Sequence, residues 1–156
     1  MSLIFTYNHE PFEFPYPLPF QLTSLETNLA GYDSLHSFLN SQLTISALYW
    51  KPTGLRSIFF DGLQLPNLTT LDTNIDQVFT RRLISGRNIK SLTTRQSVDR
   101  LVNGLQPMPS MEELCNVRLD RIDLLADVFP NLQWLEGYAM DASPFHLVFM
   151  PQLILL

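Results

Sequence analysis

One short phrase occurs twice in this chain, 46 residues apart, and it restricts the possible folds more than any other feature. Residues 22–29 read LTSLETNL, and residues 68–75 read LTTLDTNI. A period of this kind is typical of repeat proteins, in which neighbouring units stack and bury a shared core. Such proteins act through a surface rather than a catalytic centre, so the phrase favours a binding function.

Pairs of aliphatic residues, separated by two others, recur along the chain with a similar period. The steps between successive pairs are 23, 23, 21, 22 and 21 residues, which lie within the range of about 20–29 residues for leucine-rich repeats. Each pair predicts one short strand with a buried side. The pairs are Leu22/Leu25, Ile45/Leu48, Leu68/Leu71, Ile89/Leu92, Met111/Leu114 and Leu132/Leu135.

Four segments between the pairs have the apolar spacing of an amphipathic helix, and each begins near a residue suited to an N-cap. We therefore predict an α/β fold, an irregular leucine-rich-repeat-like solenoid of about six short strand–helix units. The predicted helices use Leu35, Phe38 and Leu39 after Asp33; Ile75, Val78, Phe79 and Leu83 after Asn74, with Gly86 as a stop; Val98, Leu101, Val102 and Leu105 after Ser97; and Ile122, Leu125, Ala126 and Phe129 after Asp120.

The repeat pattern is degenerate in two respects. Two residues after each pair, where a further apolar strand residue is expected, only one of the six side chains is large and apolar. Residues 49–62 contain no convincing helix, and residues 55–60 could equally form an extra strand. The six residues at the degenerate position are Thr27, Trp50, Thr73, Thr94, Asn116 and Gly137.

Three regions are predicted along the chain. Residues 1–20 are rich in proline and aromatic residues and are expected to be extended, residues 21–144 form the repeat domain, and residues 145–156 are an apolar end that suggests a truncated repeat. That apolar end is shorter than the roughly 20 residues of a membrane span. Without a signal sequence or a second cysteine beside Cys115, we expect a protein of the cytoplasm or nucleus that does not bind membranes.

Several of these phrases together resemble the repeat region of basidiomycete fungal F-box proteins. They are LHSFLNSQ at 35–42, LPNLTTL at 65–71, LISGRNI at 83–89 and FPNLQWL at 129–135. The resemblance covers roughly residues 18–140. It implies a repeat region that captures a protein substrate, while an N-terminal F-box binds the adaptor of a cullin-type ubiquitin ligase.

No helical triplet precedes the repeats in this chain, so the resemblance implies the ligase adaptor as a partner only if an F-box lies upstream. The partner expected for the repeats is a protein substrate of unknown identity. The alternative interpretation is a truncated repeat remnant with only a structural role or no independent function.

Catalytic and metal-binding patterns were sought and not found in the sequence. Its three histidines lie far apart, and Cys115 lacks the local signature of a nucleophile. Acidic pairs such as Glu112–Glu113 are explained by a solvated surface. The sequence therefore predicts a protein that is not an enzyme and has no catalytic residue, cofactor or metal.

Charge is segregated in the second half of the chain. Six of the ten basic residues lie between positions 81 and 100, against the single acid Asp99, while positions 112–141 hold seven acids. Neutralisation between neighbouring units would explain this, and so would a docking patch for an acidic or phosphorylated partner. No aromatic residue interleaves the basic run, so nucleic acid is not expected. The basic residues are Arg81, Arg82, Arg87, Lys90, Arg95 and Arg100.

Strand residues that flank the buried aliphatics are expected to face outward and to contact a partner. Trp134 is the sharpest case, because a tryptophan on such a face is either a binding anchor or is covered by a neighbouring element. The candidate partner-binding residues are Glu26, Tyr49, Asp72, Thr93, Trp134 and Glu136.

Overall fold

The computed structural model describes residues 1–5, 19–29, 33–52, 62–138 and 144–147. Short strands and helices alternate along these residues, so the predicted α/β class is confirmed. The chain divides into two compact units, Met1–Ile75 and Asp76–Leu156, and each is described by itself. Residues 6–18, 53–61 and 148–156 lie outside the described residues, and with them most of the predicted N-terminal segment, the alternative strand at 55–60 and most of the apolar end.

Four parallel strands form the sheet of the first unit, in the same order as in the sequence. Their register places Leu25, Leu48 and Leu71 side by side. One helix lies in the connection between the second and third strands. The elements are β1 (Ser2–Phe5), β2 (Ser24–Thr27), α1 (Asp33–Ser41), β3 (Ala47–Trp50) and β4 (Thr70–Thr73).

Three parallel strands and one antiparallel strand form the sheet of the second unit. Leu92, Leu114 and Leu135 lie side by side in it. A 3-10 turn at Ile122–Leu124 leads into the last helix. The elements are α2 (Gln77–Ile84), β5 (Ser91–Thr94), α3 (Val98–Val102), β6 (Glu113–Arg118), α4 (Leu125–Val128), β7 (Trp134–Tyr138) and β8 (Pro144–Leu147).

All twelve residues of the predicted aliphatic pairs are buried, with at most 3% of their surface exposed. This confirms the prediction that each pair marks a buried position before a strand and another within it. In β2, β3, β4 and β5 the second and fourth residues are buried, while the first and third keep contact with solvent. Alternation follows from strand geometry, because successive side chains point to opposite faces of a sheet.

The same hydrogen bonds recur before successive strands. The carbonyl of Thr23 accepts from the N–H groups of Ser46 and Ala47, and the carbonyl of Lys90 accepts likewise from Glu112 and Glu113. The two PNL phrases also share a contact. Asn67 donates its side-chain amide to the Leu43 carbonyl at 2.8 Å, and Asn131 donates to the Pro109 carbonyl at 2.8 Å.

The threonines at the degenerate strand position are buried without disrupting the core. Thr27 Oγ1 accepts from the N–H of Leu29 at 3.2 Å, and Thr73 Oγ1 accepts from the N–H of Ile75 at the same distance. The hydroxyls of Thr27 and Thr73 thus each have a partner two residues along the chain, whereas the buried hydroxyl of Thr94 has no hydrogen-bond partner among the described residues. This local bond lowers the cost of a polar side chain where the repeat pattern calls for an apolar one.

Asn116 does not occupy the strand position that the repeat spacing gave it. Its φ angle is +59°, and a β-bulge shifts the register of β6 at this point. Because the bulge adds one residue to β6, Val117 takes the fully buried position instead. The expectation for Asn116 was therefore wrong, since a one-residue insertion moves every later side chain to the other face.

Two of the predicted helices form, although α1 already includes Asp33 and α3 ends at Val102, before the predicted Leu105. Leu35, Phe38 and Leu39 are buried in α1. Ser97 caps α3, where its Oγ accepts from the N–H of Arg100 at 3.3 Å.

The start of α2 was predicted two residues too early. Asp76, not Asn74, is the N-cap, and its carboxylate accepts from the N–H of Val78 at 2.8 Å. This later start turns Val78 to the surface, whereas Thr80 and Ile84 are buried. In the fourth segment Leu125 and Phe129 are buried but Ile122, in the 3-10 turn, is exposed. No helix in the described part of the chain is long and apolar enough to span a membrane.

Candidate functional site

In the first unit, the outward strand residues that follow the buried leucines form one continuous row. The strand register places Glu26 beside Tyr49, and Tyr49 beside Asp72. Neighbouring strands lie about 4.8 Å apart, so the two acidic residues flank the tyrosine within roughly 10 Å. Ile4 on β1 lies beyond Glu26 in the same row and is exposed. The structure thus brings together all three partner-binding candidates of this unit.

Tyr49 keeps 37% of its surface exposed, although the residues on either side of it, Leu48 and Trp50, are fully buried. Trp50 is held by its indole N–H, which donates to the Leu29 carbonyl at 2.8 Å. The exposed ring therefore projects from a strand whose inward side chains are fixed in the core. Because the strand is rigid, little conformational freedom would be lost when a partner contacts the ring.

A lysine already occupies one end of this row. The Nζ of Lys51 lies 2.5 Å from the Asp72 carboxylate, and the lysine side chain is mostly exposed. The Asp72 side chain is only 17% exposed, so the solvent reaches this pair mainly from the side of the lysine.

The second unit has a smaller outward cluster, which consists of Glu113, Trp134 and Glu136. Trp134 is 39% exposed and lies opposite Glu113 of β6, while Glu136 lies two residues further along β7 on the same side of the strand. Trp134 is therefore not covered by a neighbouring element, which was one of the two possibilities for it.

Two residues, Thr93 and Glu113, differ from what the sequence predicted for this cluster. Thr93 lies beside Cys115, so the strand register does not pair it with Trp134 or Glu136. Sequence reasoning missed Glu113, although its position directly before Leu114 matches that of Trp134 before Leu135. The signal was present in the sequence, because each of the two residues directly precedes the leucine that ends an aliphatic pair.

The six basic residues between positions 81 and 100 do not act as one group. Two of them are half-buried at the C-terminal ends of helices, where unpaired carbonyls attract positive charge. Arg81 donates to the carbonyl of Asn103, the C-cap of α3. Arg87 donates to the carbonyl of Leu83 in α2 at 2.5 Å, and burial lowers the pKa of its guanidinium.

The other four basic residues are exposed. Lys90 forms an ion pair with Glu112 at 3.2 Å, so one of the basic residues is neutralised by an acid from the acidic run that follows it in the sequence. Arg95 follows β5, and its backbone carbonyl accepts a hydrogen bond from the Tyr138 hydroxyl at 3.0 Å. Arg82 and Arg100 lie in α2 and α3.

Asp120 is the centre of a polar network that connects α3 to the end of β6. Its carboxylate accepts from the N–H of Asp99 at 3.2 Å and from Arg118 at 3.3 Å. Burial alone would raise the pKa of Asp120, but its hydrogen bonds, including one from Ser97, outweigh burial and lower it. This network stabilises the start of α3. It gives Asp120, one of the seven acids between positions 112 and 141, a role within the fold that needs no partner.

A cleft of about 440 Å³ lies between the loops that follow α2 and α3. Gly86, Gly104 and Pro107 help to form its walls, together with the half-buried Arg87. Sequence reasoning did not find this cleft, because its two walls come from loops that are distant in the chain. Among the described residues, no group of three or more histidine, cysteine or acidic side chains could hold a metal ion.

No known family, curated protein or solved structure matches this chain significantly. Its function is therefore argued from the geometry of its own residues.

Proposed function

We propose that this protein recognises a segment of another protein through the outward side of its strands. The observation that carries the proposal is the exposure of two aromatic rings, Tyr49 and Trp134, on strands whose alternate side chains are fully buried. Tyrosine and tryptophan are the residues most often found to dominate binding energy at protein interfaces. A tryptophan that is more than one-third exposed on a strand is better explained by a partner than by the core.

The geometry favours recognition over catalysis in a further way. The outward residues are positioned by β-strands, which differ little in shape between the free and bound states of most complexes. Specificity would come from the side chains along the strands, while the buried leucines keep the strands in register. The candidate residues for contact are Glu26, Tyr49, Asp72, Thr93, Trp134 and Glu136, to which the structure adds Glu113.

We further propose that the two units are parts of an irregular leucine-rich-repeat-like solenoid, and that the chain is the substrate-binding repeat region of an F-box-type ubiquitin ligase receptor. The support for repeats is the burial of all six aliphatic pairs and the return of the same hydrogen bonds 22–24 residues apart within each unit. The support for the ligase receptor is the sequence resemblance described above. An F-box upstream would add the ligase adaptor as a partner, in the cytoplasm or nucleus.

The test is selection of short random peptides on the purified protein, followed by affinity measurements on the double variant Tyr49→Ala/Trp134→Ala. Truncation of one interface hot spot costs at least about 2 kcal/mol, which corresponds to roughly 30-fold in affinity. We expect peptides to be enriched and to lose at least that factor with the double variant, whose circular dichroism spectrum should be unchanged.

Two matched variants provide the control. Phe20 is 37% exposed and Ile122 is 39% exposed, the same fractions as Tyr49 and Trp134, but neither lies on a strand. Phe20→Ala and Ile122→Ala should bind the selected peptides normally. If no peptide is enriched, or if the double variant binds as well as the controls, the outward side is not a recognition surface and the interpretation as a repeat remnant gains support.

A further inference from the structure

We infer that the outward side of each unit binds a basic segment, in which a lysine or arginine side chain stacks on an exposed aromatic ring between carboxylates. This inference rests on the proposed function and specifies the chemistry of the partner. It is carried by an arrangement that occurs independently in the two units.

In the first unit, Tyr49 lies between Glu26 on one neighbouring strand and Asp72 on the other. A cation placed over the ring would be attracted by the π-electrons and by both carboxylates at once. Glu26 is exposed, so its charge is directed to solvent rather than used within the fold. The row therefore has the composition of a cation-binding surface.

In the second unit, Trp134 has Glu113 opposite it on β6 and Glu136 two residues further along β7. The strands are different, and the acids occupy different positions around the ring. The outcome is nevertheless the same, one exposed aromatic residue with two carboxylates beside it. Because tryptophan gives the strongest cation–π interaction, this cluster should bind a cation at least as well as the first.

Lys51 indicates that the row of Glu26, Tyr49 and Asp72 can bind a cation. It is the one lysine or arginine that the structure describes in the first unit, and its ammonium group lies on Asp72. An incoming lysine or arginine would compete with Lys51 for the same carboxylate. Removal of this intramolecular cation should therefore strengthen binding of a basic partner, although it deletes a contact of the folded protein.

The opposite partner, an acidic or phosphorylated segment, would need the basic residues of the second unit. Arg81 and Arg87 are half-buried on helix-end carbonyls, and three further cations of this unit form ion pairs with acidic residues. Five of its eight cations are thus already engaged, the paired ones being Lys90, Arg118 and Arg121. The net charge of the chain is −5. Charge complementarity therefore favours a basic partner over an acidic one.

The experiment compares two fluorescent peptides of equal length, one with alternating lysine and glycine and one with glutamate in place of lysine, by fluorescence polarisation. We expect the lysine peptide alone to bind. Glu26→Gln and Glu136→Gln should each weaken binding by about two- to fivefold, as expected for exposed charge pairs. Tyr49→Leu and Trp134→Leu, which keep an apolar side chain, should each weaken it by at least about threefold.

Lys51→Gln is the most discriminating variant, since it should strengthen binding of the lysine peptide by about two- to fivefold. Arg100→Gln is its matched control, because it removes the same charge from an exposed position on α3. If both variants strengthen binding equally, the attraction reflects net charge and the inference is wrong.

The peptide selection separates this inference from the proposed function. Enriched peptides that depend on Tyr49 or Trp134 but are acidic or uncharged would refute the basic partner and leave recognition intact. Peptides whose binding is unchanged by substitution of both aromatic residues would refute the proposed function, and the basic partner with it. Enriched basic peptides whose binding falls with Glu26→Gln or Glu136→Gln would support both.

Discussion

Replacement of Gly137 by alanine tests the closest approach between strands in the second unit. Gly137 is buried in β7 and lies opposite Val117, the residue that follows the bulge in β6. A Cβ atom at this position would lie 2.7 Å from Leu119 Cγ and nearer still to the carbonyl oxygen of Val117. Leu119 is a flexible side chain and can move, but the carbonyl is backbone and can move only with β6.

The expected cost follows from two opposing effects. Extra atoms in a packed core destabilise a protein by about 1–3 kcal/mol, and the upper end applies where backbone must shift. Alanine also restricts the unfolded chain, which offsets about 0.4–1 kcal/mol. We therefore expect Gly137→Ala to lower the free energy of unfolding by about 2 kcal/mol, the difference between these effects.

Gly86→Ala is the matched control. Gly86 has a φ angle of +72° and open space around it, so alanine there adds backbone strain without a clash. That strain costs about 1–2 kcal/mol before the same offset, which leaves a net loss of about 1 kcal/mol. The two glycines thus separate steric overlap from backbone conformation.

Urea unfolding followed by circular dichroism measures both variants. Gly137→Ala should lower the midpoint more than Gly86→Ala with no change in slope. It should also weaken peptide binding, because Trp134 and Glu136 lie on β7, whose packing against β6 the clash disturbs. A Gly137→Ala protein as stable as the unmodified protein, or more stable than Gly86→Ala, would show that β6 and β7 are not packed this closely.

Two further predictions concern buried polar groups. Trp50→Phe should lower the free energy of unfolding by about 1–3 kcal/mol, because the Leu29 carbonyl loses its indole donor. Trp134→Phe, at an exposed position, should change it by less than about 0.5 kcal/mol. Thermal unfolding measures both variants, and equal effects would contradict the difference in burial. The pKa of Asp120 is lower in the folded protein than in the unfolded chain. Its ionised carboxylate therefore stabilises the protein at a pH above the unfolded pKa, and this stabilisation is lost as the pH falls through the folded pKa. Unfolding of Asp120→Asn should therefore differ most from that of the unmodified protein near neutrality and converge with it in acid, and a difference that is independent of pH would refute the role of its charge.

The sequence by itself determined that the aliphatic pairs are buried and that several of the strand residues beside them face outward. All six aliphatic pairs are buried, and Glu26, Tyr49 and Trp134 are exposed, as their positions relative to the pairs predicted. These properties are local, because the alternation of a strand and the period of a helix follow from backbone geometry within a few residues. The α/β class follows from the same local patterns.

Tertiary structure decided what each outward residue meets. The pairing of Trp134 with Glu113 and the ion pair of Lys51 with Asp72 join residues that are about 20 positions apart in the sequence, and the bulge at Asn116 is defined by the register of β6 against β7. The helix-end contacts of Arg81 and Arg87 likewise turned part of an apparent basic patch into structural contacts. No single strand specifies its neighbour's register, and one inserted residue in β6 was enough to place Val117 rather than Asn116 opposite Gly137.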